Sequence, residues 1–167
     1  GERIAIEPVN GVPLRMYVER PRRVETLLDY ALRWGDRPHI IQDERVVGFG
    51  ALHRAVRAKA ENFAALGLVR GSRILLMGWN SPEWAVNFWA CIQSGAVPVL
   101  ANAWWSAAET AGAIELIQPA VILADERAAA KLPASARVGD WGIGSTNPID
   151  DAMGSDESHA EEEAAVI

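Results

Sequence analysis

Residues 77–105 read MGWNSPEWAVNFWACIQSGAVPVLANAWW, and this stretch decides the fold class. It contains five of the seven tryptophans of the chain, but Glu83 is its only charged residue. Ser81 and Pro82 suit the N-cap and the first position of a helix, and Gly95 suits its end. The apolar runs before and after this helix predict buried strands. A stretch with so few reactive side chains indicates a structural role or apolar contacts rather than catalysis.

The same alternation of strand and helix continues beyond this stretch. The pattern predicts strands near 73–79, 97–102 and 120–124, and helices near 82–94 and 106–117. Successive β–α units favour a parallel sheet with helices packed on its faces. The predicted fold class is therefore α/β, with a parallel sheet flanked by helices and preceded by a helix and a β-hairpin.

Composition divides the chain into four segments. Residues 1–23, rich in proline and charge, are expected to form an extended N-terminal arm. Residues 24–133 should form the α/β subdomain, including the hairpin sequence HIIQDERVVGF and an amphipathic helix whose polar side is mostly Arg, Lys, Glu and Asn. Residues 134–163 are rich in Gly, Ser, Asp and Glu, which predicts a flexible acidic linker. Residues 164–167 are expected to begin a strand that is cut short.

Charge and cysteine content exclude several classes of protein. The net charge of −6 comes from seven acidic residues between 150 and 163, since the rest of the chain carries 16 basic and 15 acidic residues. The scattered arginines form no periodic basic face, which argues against nucleic-acid binding. No apolar run approaches the roughly 20 residues that span a bilayer. The single cysteine, Cys91, is expected to be a small buried hydrophobe, and the absence of a disulfide pair favours a cytoplasmic location.

Candidate catalytic and metal-binding groups are sparse. The stretch GDWGIGST at 139–146 nearly fits a phosphate loop, but Ser145 stands where the lysine is needed, so a flexible loop is favoured. His39, His53 and His159 are dispersed and have no second ligand at metal spacing. The acids of the tail lack the alternating pattern of a calcium loop. We therefore predict no catalytic, cofactor-binding or metal-binding residue in this chain.

The tryptophans of the quoted stretch fall into two groups. Trp79, Trp84 and Trp89 are expected to fill the core, because they lie on a strand end and on a mostly apolar helix. Trp104 and Trp105 follow the carboxyl end of a predicted parallel strand, which is where ligands gather in such sheets. These two residues are therefore the candidates for contact with a hydrophobic ligand.

The order of motifs resembles a known family. ALG, GLVRGSRILL, NSPEW, SGAVPV and NAWWS follow one another as in the N-terminal part of the adenylate-forming, AMP-binding enzymes. This group includes acyl-CoA synthetases, luciferases and nonribosomal-peptide adenylation domains. The resemblance runs from about Thr26 to Glu126 and is strongest from Gly67 to Ala101. NSPEW and NAWWS look more like fatty-acid or other carboxylic-acid CoA ligases than like amino-acid-activating domains.

The resemblance implies a function for a longer parent protein. Such a ligase would join a small carboxylic acid to ATP, with Mg²⁺, and would pass the acyl group from the adenylate to coenzyme A. Asn80, Ser81, Pro82 and Glu83 match a fold motif of the family, and none of them matches a catalytic position. Residues 163–167, EAAVI, match the apolar strand that precedes the phosphate loop in this family, so that loop would follow them. The chain is therefore expected to be an inactive N-terminal fragment that binds no cofactor and self-associates through apolar surface.

A non-enzymatic binding module is the alternative. A small α/β domain could hold a hydrophobic ligand or a partner on an exposed aromatic face without catalysing a reaction. The unfinished strand at 164–167 counts against a complete module. The reading frame beyond Ile167 separates the two: a Ser-, Thr- and Gly-rich stretch ending in Pro-Lys favours the enzyme, and a stop codon favours the module.

Overall fold

The computed structural model describes residues 3–142. Its elements, in chain order, are β1 (Ile4–Val9), β2 (Val12–Tyr17), α1 (Thr26–Ala31), a 3-10 turn (Leu32–Trp34), β3 (Pro38–Gln42), β4 (Arg45–Gly48), α2 (Phe49–Ala65), β5 (Arg73–Met77), α3 (Pro82–Ser94), β6 (Val97–Leu100), α4 (Ala107–Ile117), β7 (Val121–Ala124), α5 (Glu126–Ala129) and β8 (Val138–Gly139). No helix in this part of the chain is long and apolar enough to cross a membrane. The predicted strand at 164–167 and most of the predicted linker lie outside the described residues.

A parallel sheet organises the fold. Its strand order is β6-β5-β7-β8, and every neighbouring pair runs parallel. The three predicted strands and two predicted helices are present, with ends that differ from the predictions by a few residues at most. The predicted α/β fold class, with its preceding helix and hairpin, is confirmed.

The apolar alternation of β5 builds the core on both faces of this sheet. Ile74 and Leu76 belong to the larger apolar cluster, which α2 and α3 share. Leu75 and Met77 point the opposite way, into a smaller cluster beneath α4 and α5. Successive side chains of a strand alternate between faces, so one run of four apolar residues supplies both clusters.

The helices that follow the strands begin and end at residues with clear capping roles. The Ser81 hydroxyl accepts a hydrogen bond from the Trp84 amide at the start of α3, and Gly95 ends that helix at a φ of 74°. Ser106 and Glu109 form a reciprocal capping box at the start of α4. These local interactions explain why the predicted helix boundaries agree closely with the observed ones.

The N-terminal arm contains a hairpin that the sequence analysis did not predict. β1 and β2 pair antiparallel around Asn10 and Gly11, whose φ angles are 49° and 81°. An Asn-Gly pair favours this kind of two-residue turn because both residues tolerate positive φ. Glu7 on β1 pairs with Arg20 and Arg22, and these hydrogen bonds lower the pKa of Glu7 to about 2.

Two further expectations are corrected by the structure. The segment predicted as flexible linker begins with ordered chain, because Val138–Gly139 pairs with β7 as a fourth parallel strand. Lys59 was expected on the polar side of the amphipathic helix, yet its side chain is buried, as is that of Asn87 on α3. Lys59 lies three residues after Val56 and four before Phe63, within the apolar stripe of α2. Both side chains bind the chain that follows β8.

Candidate functional site: the carboxyl edge of the sheet

The carboxyl ends of the parallel strands meet at one edge of the sheet, where α/β proteins commonly bind ligands. Four residues beyond the strand ends define what we call the carboxyl-edge site: Trp79, Trp104, Asp125 and Arg127. The rings of Trp79 and Trp104 meet edge to face, with centroids 4.7 Å apart. Trp104 is 76% exposed, so this aromatic pair presents a large apolar surface to solvent.

Asp125 joins the ends of two strands at this site. Its Oδ2 atom accepts a hydrogen bond from the Trp79 amide at 2.7 Å, and its Oδ1 atom accepts one from the Ala128 amide at 2.8 Å. The second bond makes Asp125 the N-cap of α5. Both oxygens are therefore committed to holding the backbone, which gives Asp125 a structural role rather than that of a general base.

Arg127 adds a cation to the aromatic pair. Its Cζ atom lies 5.9 Å from the centroid of the Trp79 ring, within the range of a cation–π interaction. The site can therefore offer an apolar surface and a positive charge side by side. Sequence reasoning missed Asp125 and Arg127, although their position directly after β7 was the signal that could have identified them.

The loop that carries Trp104 is held by its neighbours. The Oδ1 atom of Asn102 accepts a hydrogen bond from the Trp104 amide at 2.9 Å, and Lys131 donates to the carbonyl of Ala103 at 2.7 Å. Trp105 turns the other way and packs, half-buried, against the smaller apolar cluster. Of the two predicted contact residues, Trp104 is thus the one that the structure presents to solvent.

The Asn-Ser-Pro-Glu motif connects α3 to the β3–β4 hairpin. The Asn80 carbonyl accepts a hydrogen bond from Gln42 at 3.0 Å, and Glu83 forms an ion pair with Arg45. Burial acts to raise the pKa of Glu83, but hydrogen bonds from Arg45 and from its own amide outweigh it and hold this pKa below its usual value. With Ser81 as the N-cap, the motif has local structural roles.

The remaining titratable candidates lie apart from this edge. Burial raises the pKa of the Cys91 thiol to about 12, so this cysteine carries no thiolate at neutral pH. The His39 ring packs against Phe49, and burial lowers its pKa. His53 bonds to Asp29, and His159 lies outside the described residues. Within residues 3–142, no group of three or more His, Cys, Asp or Glu is placed to hold a metal ion.

The near match to a phosphate loop is divided by the limit of the described chain. Gly139 belongs to β8, and the Gly142 amide donates to the Asp140 carboxylate at 3.0 Å. Residues 143–146, including Ser145 in the lysine position, lie outside the described residues. The described half of the stretch is therefore the end of a strand and the turn that follows it.

Comparison with known families identifies the kind of protein that carries this edge. The sequence profile of the AMP-binding enzymes matches residues 27–165, which is most of the chain. The chain belongs to the AMP-binding enzyme family. The match runs from α1 through the whole parallel sheet, so the carboxyl-edge site lies within the family domain. No curated protein sequence matches the chain significantly.

Solved structures of adenylate-forming enzymes share the fold of this AMP-binding chain. The N-terminal subdomain of Klebsiella oxytoca NpsA, in complex with 3-hydroxyanthranilyl-AMSN, is similar over 75% of the chain, with a TM-score of 0.68 and 21% identity. An artificially fused adenylation–PCP di-domain NRPS, NpsA-ThdA from the same organism, gives 0.67 over 75% at 21% identity. O-succinylbenzoate coenzyme A synthetase (MenE) from Bacillus subtilis, in complex with AMP, gives 0.59 over 75%, also at 21% identity.

The chain spans about a quarter to a third of these structures: 24% of NpsA-ThdA and 32% of both the NpsA subdomain and MenE. The similar structures include both a nonribosomal adenylation protein and a CoA synthetase. At this level of identity the likeness establishes the fold, which the two branches have in common.

Proposed function

We propose that this chain is the N-terminal part of an ATP-dependent carboxylic-acid CoA ligase. The complete enzyme would form an acyl-adenylate and pyrophosphate from the acid and ATP, with Mg²⁺, and would then transfer the acyl group to coenzyme A. The observation that carries the proposal is the family match over residues 27–165. The NSPEW and NAWWS motifs favour the CoA-ligase branch over the amino-acid-activating branch.

In this proposal the described residues supply the scaffold and one ligand contact. The parallel sheet holds the carboxyl-edge site at the position where α/β proteins bind ligands. Trp104 would contact the apolar part of the acid, because its exposed ring gains most from being covered. Arg127, beside the Trp79 ring, would attract an anionic group of the same ligand.

The chain by itself should not activate acids. We predict no catalytic group in this chain, because the one local phosphate-loop match has serine in the lysine position. Without that ammonium the phosphates of a nucleotide lose their main counter-charge. We therefore expect the 167-residue chain to show no acid-dependent exchange of pyrophosphate into ATP.

An exchange assay on two proteins tests this proposal. One is the 167-residue chain, and the other is the protein read through beyond Ile167 in the same frame. We expect the longer protein to catalyse exchange with dodecanoate and to form the CoA thioester, with little response to leucine. Exchange stimulated by leucine would move the protein to the amino-acid-activating branch. Exchange by the 167-residue chain would show that the nucleotide site lies within it.

The exposed ring of Trp104 supports a binding module as the second candidate function. Calorimetric titration of the unsubstituted 167-residue chain and of its Trp104→Ala variant with dodecanoate measures whether this surface binds an apolar acid. Binding that depends on Trp104, combined with no exchange by a well-folded longer protein, would favour the module. Binding together with exchange would favour the enzyme.

A further inference from the structure

Two polar side chains are buried on the helices that pack on one face of the sheet. Lys59 on α2 is 3% exposed and Asn87 on α3 is completely buried. Burying an ammonium group costs several kcal/mol unless hydrogen bonds or opposite charge compensate it. Burial accordingly lowers the pKa of Lys59, against the opposing effect of Asp140 and Cys91. The groups that these two side chains bind should therefore explain why the side chains are buried.

Both side chains bind the backbone that leaves β8. The Lys59 ammonium donates to the carbonyls of Asp140 at 2.5 Å and Gly142 at 2.6 Å. The Asn87 carboxamide donates to the carbonyl of Trp141, between them, at 2.9 Å. Three consecutive carbonyls are thus bound by two side chains from two different helices. This arrangement, which we call the exit clamp, holds the chain where the short strand β8 no longer can.

The exit clamp places the Trp141 ring on the turn that follows β5. A Cβ atom added at Gly78 would lie 2.6 and 2.8 Å from two atoms of this ring, so the ring covers Gly78 directly. The same added atom would lie 3.1 Å from Oδ2 of Asp125. That oxygen accepts the hydrogen bond from the Trp79 amide. The clamp, the Trp141 ring, Gly78 and the Asp125–Trp79 bond are therefore in continuous contact.

We propose that Lys59 and Asn87 are positioning residues for the carboxyl-edge site, acting through Trp141. They hold the 140–142 backbone so that the Trp141 ring covers Gly78 and keeps the Trp79 amide on Asp125. In this way they orient the Trp79–Trp104 pair. The role of this pair in ligand binding rests on the proposed function. Neither residue touches the ligand surface itself.

Isosteric variants of the whole 167-residue chain test the proposal. Lys59→Met and Asn87→Leu remove the hydrogen bonds but keep the side-chain volume, and Arg57→Met, on the exposed side of α2, is the matched control. The readouts are hydrogen exchange of the Trp79 amide and, as a reference, of the Leu75 amide within β5. We expect exchange at Trp79 to become about tenfold faster in both clamp variants, with no change in Arg57→Met.

Rescue and stability separate positioning from a general loss of structure. Lys59→Arg keeps a donor for the carbonyls and should recover part of the protection of Trp79. Unchanged exchange at Trp79 in a folded variant overturns the proposal, and so does an equal increase at Leu75 and Trp79. If Lys59→Met does not fold, Asn87→Leu, which removes only one hydrogen bond, decides the matter.

A titration with dodecanoate links the clamp to the ligand. If the unsubstituted 167-residue chain binds dodecanoate, the dissociation constant should rise by about tenfold in the Lys59→Met and Asn87→Leu variants. Equal affinity of parent and variants, despite faster exchange at Trp79, overturns the positioning of the ligand surface. If the parent does not bind dodecanoate while Trp79 still responds, the proposed ligand contact fails and the clamp's effect on the Trp79 turn stands.

Discussion

The helices on the two faces of the parallel sheet differ in how deeply they are buried, so we call the side of α2 and α3 the covered face and the side of α4 the open face. On one face α2 and α3 share a large apolar cluster, and α3 buries Val86, Ala90 and Cys91 within it. On the other face α4 has the sequence AAETAGAIELI, yet Thr110 is its only buried residue. Leu116 on α4 is 86% exposed. An apolar helix sequence therefore predicts that the helix is buried, but it does not indicate which surface buries it.

The largest expected effect compares one leucine from each face. Leu52 on α2 is 1% exposed, and Leu116 on α4 is 86% exposed. We expect Leu52→Ala to lower the free energy of unfolding by about 2–5 kcal/mol, because it leaves a cavity. Leu116→Ala should change it by less than about 0.5 kcal/mol. Urea unfolding measures both, and similar losses would mean that α4 is covered as well as α2.

A steric prediction concerns the part of the covered face that reaches the carboxyl edge. Gly78→Ala would place a methyl group against the Trp141 ring. We expect a loss of about 1–3 kcal/mol in unfolding free energy from this overpacking. In the Trp141→Ala background the same substitution should cost much less, since the obstructing ring is gone. Equal costs in the two backgrounds would show that the ring does not rest on Gly78.

The thiol buried on the covered face should make stability fall at high pH. The pKa of Cys91 is about 12 in the folded chain against 9.0 for an exposed thiol, so the folded state holds its proton longer. This contribution is complete below pH 9 and is lost as the pH rises towards 12, by at most about 1.4 kcal/mol per pH unit.

The control for this pH prediction is Cys91→Ala. Lys59 acts in the opposite direction, because its folded pKa is lowered and stability therefore rises with pH up to 10.5, but both proteins retain it. From pH 9 upwards, the unfolding free energy of the unsubstituted chain should fall relative to that of Cys91→Ala. A constant difference from pH 8 to 11 would contradict burial of the thiol.

The smallest expected effect concerns the open face. Leu116 on α4 and Val97 on the edge strand β6 are exposed apolar residues, and exposed apolar surface promotes association. We expect the chain to self-associate at tens of micromolar, and Leu116→Glu to weaken this association by about tenfold. Sedimentation velocity measures both. A monomeric parent at these concentrations would show that the open face does not drive association.

Most of the fold could be predicted because it is encoded locally. The capping residues Ser81 and Gly95 and the apolar run of β5 act within a few residues of themselves, so their pattern determines the structure directly. The Asn10-Gly11 hairpin was equally local, and its turn signal was overlooked. What local pattern cannot give is the hydrogen-bond partners of Lys59 and Asn87, because the carbonyls that they bind follow β8, far along the chain.

The candidate site shows the same division. The position of Trp104 after β6 predicted its exposure at the carboxyl edge, since strand order alone places that residue there. Its partners Trp79 and Arg127 come from other connections of the sheet, and their contacts depend on side-chain directions that spacing does not specify. The sequence therefore located the edge but not the composition of the site.

The position of β5 in the sheet has a consequence for synthesis on the ribosome. The N-terminal and β3–β4 hairpins join neighbouring residues and can pair as soon as they emerge. By contrast, Arg73 pairs with Val97 and Ile74 with Val121, so β5 lies unpaired until α3 and β6 have been translated. An exposed apolar strand is prone to aggregation during this interval. The residues that build both halves of the core are thus the ones that a nascent chain must shield until its later strands arrive.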